Sequence, residues 1–170
     1  MRVLIDTCVL YPPLLRNLVL GLAERGLFQP LWSDAIAAEW LHLAARRGED
    51  AVPAILARMQ ARWPEGCAPA GHPELLDLPD SGDRHVLAAA IAAGAGQILT
   101  ANLADFPPRI LAAHGLCAVS PDDFVMAHWL AGRAAVEGQV AALWSGLSGR
   151  DLRRALRKAG LPRLGKALEH

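Results

Sequence analysis

The chain has 170 residues, of which 53% are hydrophobic and 20% charged, with a formal net charge of zero. These are values of a folded globular domain with a sizeable core, and they exclude a disordered or collagenous chain. No uninterrupted apolar run is long enough to span a bilayer, and the N-terminus lacks the basic-then-apolar layout of a signal peptide, so a cytoplasmic protein with no membrane role is expected.

Cys8, Cys67 and Cys117 are odd in number, widely spaced and without a C-x-x-C pair, which argues against a disulfide scaffold or a structural zinc site. Charge is unevenly distributed. Residues 1–123 hold nine Lys and Arg against fourteen Asp and Glu, a net −5, and residues 124–170 hold eight against three, a net +5. An acidic body with a basic tail is a sharper clue than overall neutrality.

In chain order, R-V-L-I-D-T (2–7) predicts a buried parallel strand with Asp6 at its carboxyl end. Tyr11-Pro12-Pro13 opens a helix whose apolar face is Leu14, Leu15, Leu18, Val19 and Leu22, stopped by Gly26. F-Q-P-L-W (28–32) predicts a weaker strand, placed at a sheet edge because Pro30 would break a central ladder. Ser33 caps a helix closed by Gly48, and a third helix spans about 51–63. Residues 64–82, rich in Pro and Gly, predict a long functional or mobile loop with a brief strand around Leu75–Leu78. A buried, alanine-rich helix follows at 83–94, then a strand at 97–100, a polar loop and a short helix from Pro107 to about His114. A strand at 116–120 comes next, and Ser120-Pro121-Asp122-Asp123 starts helices around 122–131, 133–146 and 150–159. Residues 168–170 resemble the start of an expression tag.

Strands alternating with helices predict an α/β fold with a central parallel sheet covered on both faces. In such a sheet helix starts lie over the carboxyl edge of the strands, where ligands bind. Asp6, Glu39, Asp83, Asn102 and Asp105 all fall on that edge. Four acids there repel one another, and a divalent cation is the ordinary remedy. Each has a plainer reading as well. Asp6 suits a turn, and Asp83 suits an N-cap, a role compatible with metal binding. Asp80, in P-D-S-G, suits a turn former, and Asp105 a cap or turn. Thr100 and Asn102 suit either a water or phosphate contact or loop structure. Glu39 sits among Ile36, Ala37, Ala38, Trp40 and Leu41, where an unpaired buried carboxylate would cost several kcal/mol; its only local partner is His42. Cys8 lacks a nearby His to activate it and suits a small buried residue better than a nucleophile. No histidine pair has metal-ligand spacing, and His85 is notable only for standing beside Asp83.

L-I-D-T near the N-terminus, A-A-E-W in the second helix, D-R-H-V-L-A-A-A-I and L-T-A-N-L-A-D-F-P together resemble the PIN domain. More narrowly, they resemble the VapC-like toxin ribonucleases of toxin–antitoxin modules. The resemblance covers roughly residues 1–120 and leaves 121–167 as a helical, basic C-terminal extension. It implies a three-layer α/β/α fold and a Mg²⁺- or Mn²⁺-dependent endoribonuclease whose products carry a 5′-phosphate and a 3′-hydroxyl. It also implies a cognate antitoxin and a homodimer. It places catalytic and metal-binding roles on Asp6, Glu39, Asp83 and Asp105, with Thr100, Asn102 and Asp80 in support. Some members carry an acid where Asn102 stands, so either Asn102 or Asp105 completes the site. An acidic centre repels RNA without its metal, and the basic segment 150–166, with Arg153, Arg154, Arg157 and Lys158 off its apolar stripe, is the candidate for recruiting RNA or a partner; truncation after Gly149 should then weaken RNA binding.

Other classes fit less well. A haloacid-dehalogenase phosphatase needs an Asp where Cys8 stands, and a receiver domain needs a lysine near the sheet edge, whereas the only lysines are Lys158 and Lys166. A non-catalytic module that keeps the fold and binds RNA or a partner is the remaining alternative.

Overall fold

Strands Arg2–Ile5 (β1), Gln29–Ser33 (β2), Cys67–Ala68 (β3), Gln97–Leu99 (β4) and Cys117–Val119 (β5) form one sheet in the order β3-β2-β1-β4-β5. The computed structural model describes residues 1–169. Every pairing is parallel, and the central strand β1 has Val3, Leu4 and Ile5 fully buried, the pattern of a strand covered on both faces. Right-handed crossovers decide which helix covers which face. The chain steps one way from β1 to β2 to β3 and the opposite way from β3 to β4 to β5. Helices Pro13–Glu24 (α2), Asp34–Arg47 (α3) and Val52–Arg62 (α4), after the short Thr7–Leu10 (α1), therefore share one face. Arg84–Ala92 (α5) and Pro108–Ala112 (α6) take the other. Val86, Leu87 and three successive alanines bury α5 against β1, β2, β3 and β4; alanine favours the helix and lets it approach the sheet closely. The result is a three-layer α/β/α architecture.

Four further helices, Pro121–Ala131 (α7), Arg133–Leu143 (α8), Gly149–Lys158 (α9) and Pro162–Ala167 (α10), extend the α2 layer, with α8 packed on α2 and α7 on α8. Ser120 caps α7 as its sequence indicates, accepting from Asp123 N–H at 3.1 Å. Leu152, Ala155 and Leu156 of α9, and Ala159 just after it, all meet the core. Residues 162–167, which carry no periodic signal, form α10, and its first turn is held by a residue far away in sequence. Buried Asp122 accepts from Arg163 N–H at 2.8 Å and from Leu164 N–H at 3.1 Å. Asp122→Ala leaves two inward-facing N–H groups without this partner and is expected to lower the unfolding free energy by about 1–3 kcal/mol in a denaturant titration. Leu168 caps α10 and Glu169 pairs with Arg153; His170, the last residue of the tag-like segment, lies outside the described residues.

Three expectations are corrected. Pro30 lies in an interior strand, not at an edge. Its missing N–H does no harm, because N–H groups alternate along a strand. Gln29 N–H bonds toward β1 (Met1 O, 2.9 Å) and Trp32 N–H bonds toward the β3 side (Gly66 O, 2.9 Å), so Pro30 faces the same side as Trp32, where β3 has not yet begun. The brief strand in the long loop is Cys67–Ala68; Leu75 ends a 3-10 turn at Pro73–Leu75 and is exposed. That loop is also held in place. Gly71 has φ +66°, and a Cβ there would stand 2.4 Å from Ala88 O of α5. Finally, β1 ends at Ile5, and Asp6 is the N-cap of α1.

Candidate active site

The register that pairs Ile5 with Leu99 puts Asp6 and Thr100 side by side, each the first residue beyond its strand. Asp6 N–H still bonds to Leu99 O at 3.0 Å, and Thr100 N–H to Val119 O at 3.1 Å, so both residues are fixed by the sheet. The Asp6 side chain is only 5% exposed. One of its oxygens accepts from Thr7 N–H at 2.7 Å; the other accepts from Thr100 Oγ1 at 2.8 Å and from the Cys8 thiol at 3.4 Å. Thr100 Oγ1 in turn accepts from Asn102 N–H at 3.1 Å. Asp6 is thus a turn residue in form, but its carboxylate is anchored at the carboxyl edge by three donors.

Glu39 follows on α3. Its apolar neighbours Ile36, Ala37 and Trp40 face the core, whereas Glu39 itself is 47% exposed, so burial is not what constrains it. Two partners hold it: Thr7 Oγ1 donates to Oε2 at 2.7 Å, and His85 Nε2 lies 2.8 Å from Oε1. The local partner expected from sequence, His42, is replaced by His85, 46 positions away on α5. Thr7 carried no signal in the sequence, because its contact with Glu39 spans 32 positions.

Asp83 stands at the start of α5 without making a side-chain capping bond, so the plain capping role does not account for it. Its carboxyl is pushed up to about 6, first by burial and then by the nearby charges of Asp105, Asp6 and Asp80, with His85 opposing them. Asp80 is a turn former: its Oδ1 accepts from Gly82 N–H at 2.8 Å. Asp105 ends a 3-10 turn at Leu103–Asp105 and is positioned by the next residue, Phe106, which is buried in the core. Asn102 is exposed and engages the site through its backbone N–H alone. Burial and the Asp6 charge push the Cys8 thiol up to about 11. Both effects favour the neutral thiol over the thiolate that a nucleophile requires.

A divalent metal suits this donor set in charge and type. The oxygens are hard, and no Lys or Arg is among the groups that offset the charge at Asp83. Among the described residues, no three His, Cys, Asp or Glu groups form a ready-made cation cage.

The raised Asp83 carboxyl has a thermodynamic sign. Between its ordinary value and about 6, the folded metal-free chain binds a proton that the unfolded chain does not, so this group opposes folding above about pH 6 and ceases to do so as the pH falls toward 4. Asp83→Asn is expected to stabilise the chelator-treated protein near neutral pH by about 1 kcal/mol after allowance for solvent screening. The gain should shrink toward zero as the pH falls from 6 to 4, as read by thermal melts across that range.

The basic helix α9 is divided in its engagements. Arg153 pairs with Glu169, Arg154 lies 3.7 Å from Asp151, and Arg157 and Lys158 are exposed. Among the described residues no helix is long and apolar enough to cross a membrane.

Comparison with curated proteins and with solved structures gives no match to this chain. A family model does match: that of the PIN domain, over residues 2–104. This span contains β1 to β4 together with Asp6, Glu39, Asp83, Thr100 and Asn102, and ends one residue before Asp105. With more than half its length matched and a parallel three-layer fold around the matched region, the chain belongs to the PIN domain family.

Proposed function

We propose that the protein is a metal-dependent ribonuclease that hydrolyses RNA phosphodiester bonds. The reading is supported by Asp6 and Asp105 lying near enough to Asp83 for their charges to bear on it, and by Glu39 being tied to Thr7 and His85 beside Asp6 and Asp83, at the carboxyl edge used for ligands in open α/β folds. A bound Mg²⁺ or Mn²⁺ supplies a water of lowered pKa and offsets charge on the scissile phosphate. Asp6 and Asp83 are the first ligands, because Asp6 is fixed by the sheet and Asp83 makes no capping bond. Asp105 is favoured over Asn102 as the completing group, since its charge is felt at Asp83 whereas Asn102 engages only through its main chain. Glu39, clamped between Thr7 and His85, is oriented to hold a proton or a water at the same edge.

The finer reading is a VapC-like endoribonuclease of a toxin–antitoxin module. In this reading it acts in the cytoplasm as a homodimer, is held silent by a cognate antitoxin, and leaves 5′-phosphate and 3′-hydroxyl ends. It rests on the four ordered motifs. In this view residues 1–120 carry the chemistry and 121–167 carry substrate or partner contacts.

Incubation of labelled RNA and single-stranded DNA with Mg²⁺, Mn²⁺ or chelator tests the proposal, with any bound partner removed beforehand. Metal-dependent RNA cleavage is the expected result. Binding of RNA with no cleavage under any metal would favour the non-catalytic module instead.

A further inference from the structure

Beside the carboxylates, on the α2 face, a cavity of about 510 Å³ runs between the α1–α2 corner, the loop after β4, the start of α7 and the α9–α10 corner. Its inner wall is Cys8, whose thiol is 3.4 Å from Asp6 Oδ2 and 3.5 Å from Thr100 Oγ1. Cys8 therefore stands between the groove and Asp6, and none of the four acids lines the groove itself. Its outer rim is Lys158, exposed and in no ion pair among the described residues. The other charged side chain in the lining, Asp122, is buried and engaged by two α10 N–H groups. The groove thus presents a positive charge next to a strongly acidic centre. Its remaining walls are small or aliphatic, including Pro12, Ala101 and Gly160, with no aromatic ring to stack a base.

We propose that this groove seats the sugar–phosphate backbone of the RNA strand next to the scissile bond, with Lys158 contacting a phosphate there. The inference rests on the ribonuclease reading and assigns its substrate path. An acidic cleavage centre repels the strand it must hold, so a cation one step along the strand is the arrangement that recruits it. A groove without stacking rings tracks the backbone and does not select bases. The assignment also separates the basic residues of α9. Arg153 and Arg154 are tied to neighbouring acids outside the groove, and Lys158 alone of the exposed α9 cations lines it. Truncation after Gly149 is a poor test of this, because it removes Leu156, Leu161 and Leu164 from the core.

The test is RNA binding by the full chain carrying Asp6→Asn, in Mg²⁺, read by fluorescence anisotropy of a short labelled single-stranded RNA over a range of salt. Lys158→Glu is expected to weaken binding about tenfold and to lower the salt slope by about one, while Lys158→Arg restores both. Arg154→Glu, with the same charge change on the same helix, is expected to have a much smaller effect. Equal losses for the two Glu variants, or no loss for Lys158→Glu, would overturn the groove assignment while leaving RNA binding intact. If the Lys158 parent chain fails to bind RNA and the wild type fails to cleave it, the ribonuclease reading falls and the groove assignment with it.

Discussion

Asp6→Asn is expected to reduce metal-dependent RNA cleavage by at least about 10²–10³-fold, equivalent to about 3–4 kcal/mol of lost transition-state stabilisation. Its fold should remain intact. Asn at this position keeps an oxygen for Thr7 N–H, and the Thr100 hydroxyl can rotate to accept from the new amide. What disappears is the charge that the sheet holds at its carboxyl edge. Asp80→Asn is the matched control, because Asp80 is occupied in its own turn with Gly82 N–H; cleavage should change no more than a few-fold. Initial rates at saturating Mg²⁺, with melting curves for both variants, check the pair of expectations. Similar losses in the two variants would contradict the assignment of Asp6.

The largest stability effect is expected at Arg16→Ala, about 3–5 kcal/mol by denaturant unfolding. Arg16 is only 2% exposed. One guanidinium nitrogen is 2.6 Å from Glu49 Oε1 and another donates to Leu10 O at 3.0 Å, while the guanidinium carbon lies 5.2 Å from the centre of the Trp40 ring. The residue thus ties the end of α1, whose N-cap is Asp6, to α2, to Trp40 on α3 and to the loop after α3. Removing it leaves the Glu49 carboxylate without its partner in a largely buried place and opens space beside Trp40. Arg16→Lys should recover little, since an ammonium cannot supply the planar fork to two partners. Replacing the pair together, Arg16→Met with Glu49→Leu, should recover most of the loss. If Arg16→Ala unfolds at the wild-type midpoint, the clamp carries no net energy.

Residues that signal through local pattern were legible in the sequence; those that act through distant contacts were not. Apolar strands alternating with helices define the parallel sheet, and Ser33 and Ser120 announce their helices because a cap is a local hydrogen bond. The carboxyl-edge placement of Asp6, Glu39, Asp83 and Asp105 follows from topology alone. Arg16 shows where pattern fails: helical periodicity assigned Leu14 to the buried face, yet Leu14 is 42% exposed and Arg16 is buried. Glu49, 33 positions on, together with Leu10 O and the Trp40 ring, makes that exchange favourable. Likewise Glu39 was singled out by an argument from burial that its exposure contradicts, and its real constraints, Thr7 and His85, come from α1 and α5. The two-residue strand β3 is too short to carry any periodicity, and Pro30 is admitted to the interior of the sheet only because that neighbour starts late.

The central claim is that the acids on this sheet edge hold a divalent cation, and Mn²⁺ titration of chelator-stripped protein, followed by the resonance signal of free Mn²⁺, tests it most directly. It should be run alone and with a short single-stranded RNA blocked against cleavage. Wild type and Asp80→Asn should bind Mn²⁺ near neutral pH with similar affinity. Asp6→Asn and Asp83→Asn should each bind at least about tenfold more weakly, a loss of about 1.4 kcal/mol or more. No Mn²⁺ binding by the wild type with or without RNA, or equal affinity in all four proteins, would contradict the account.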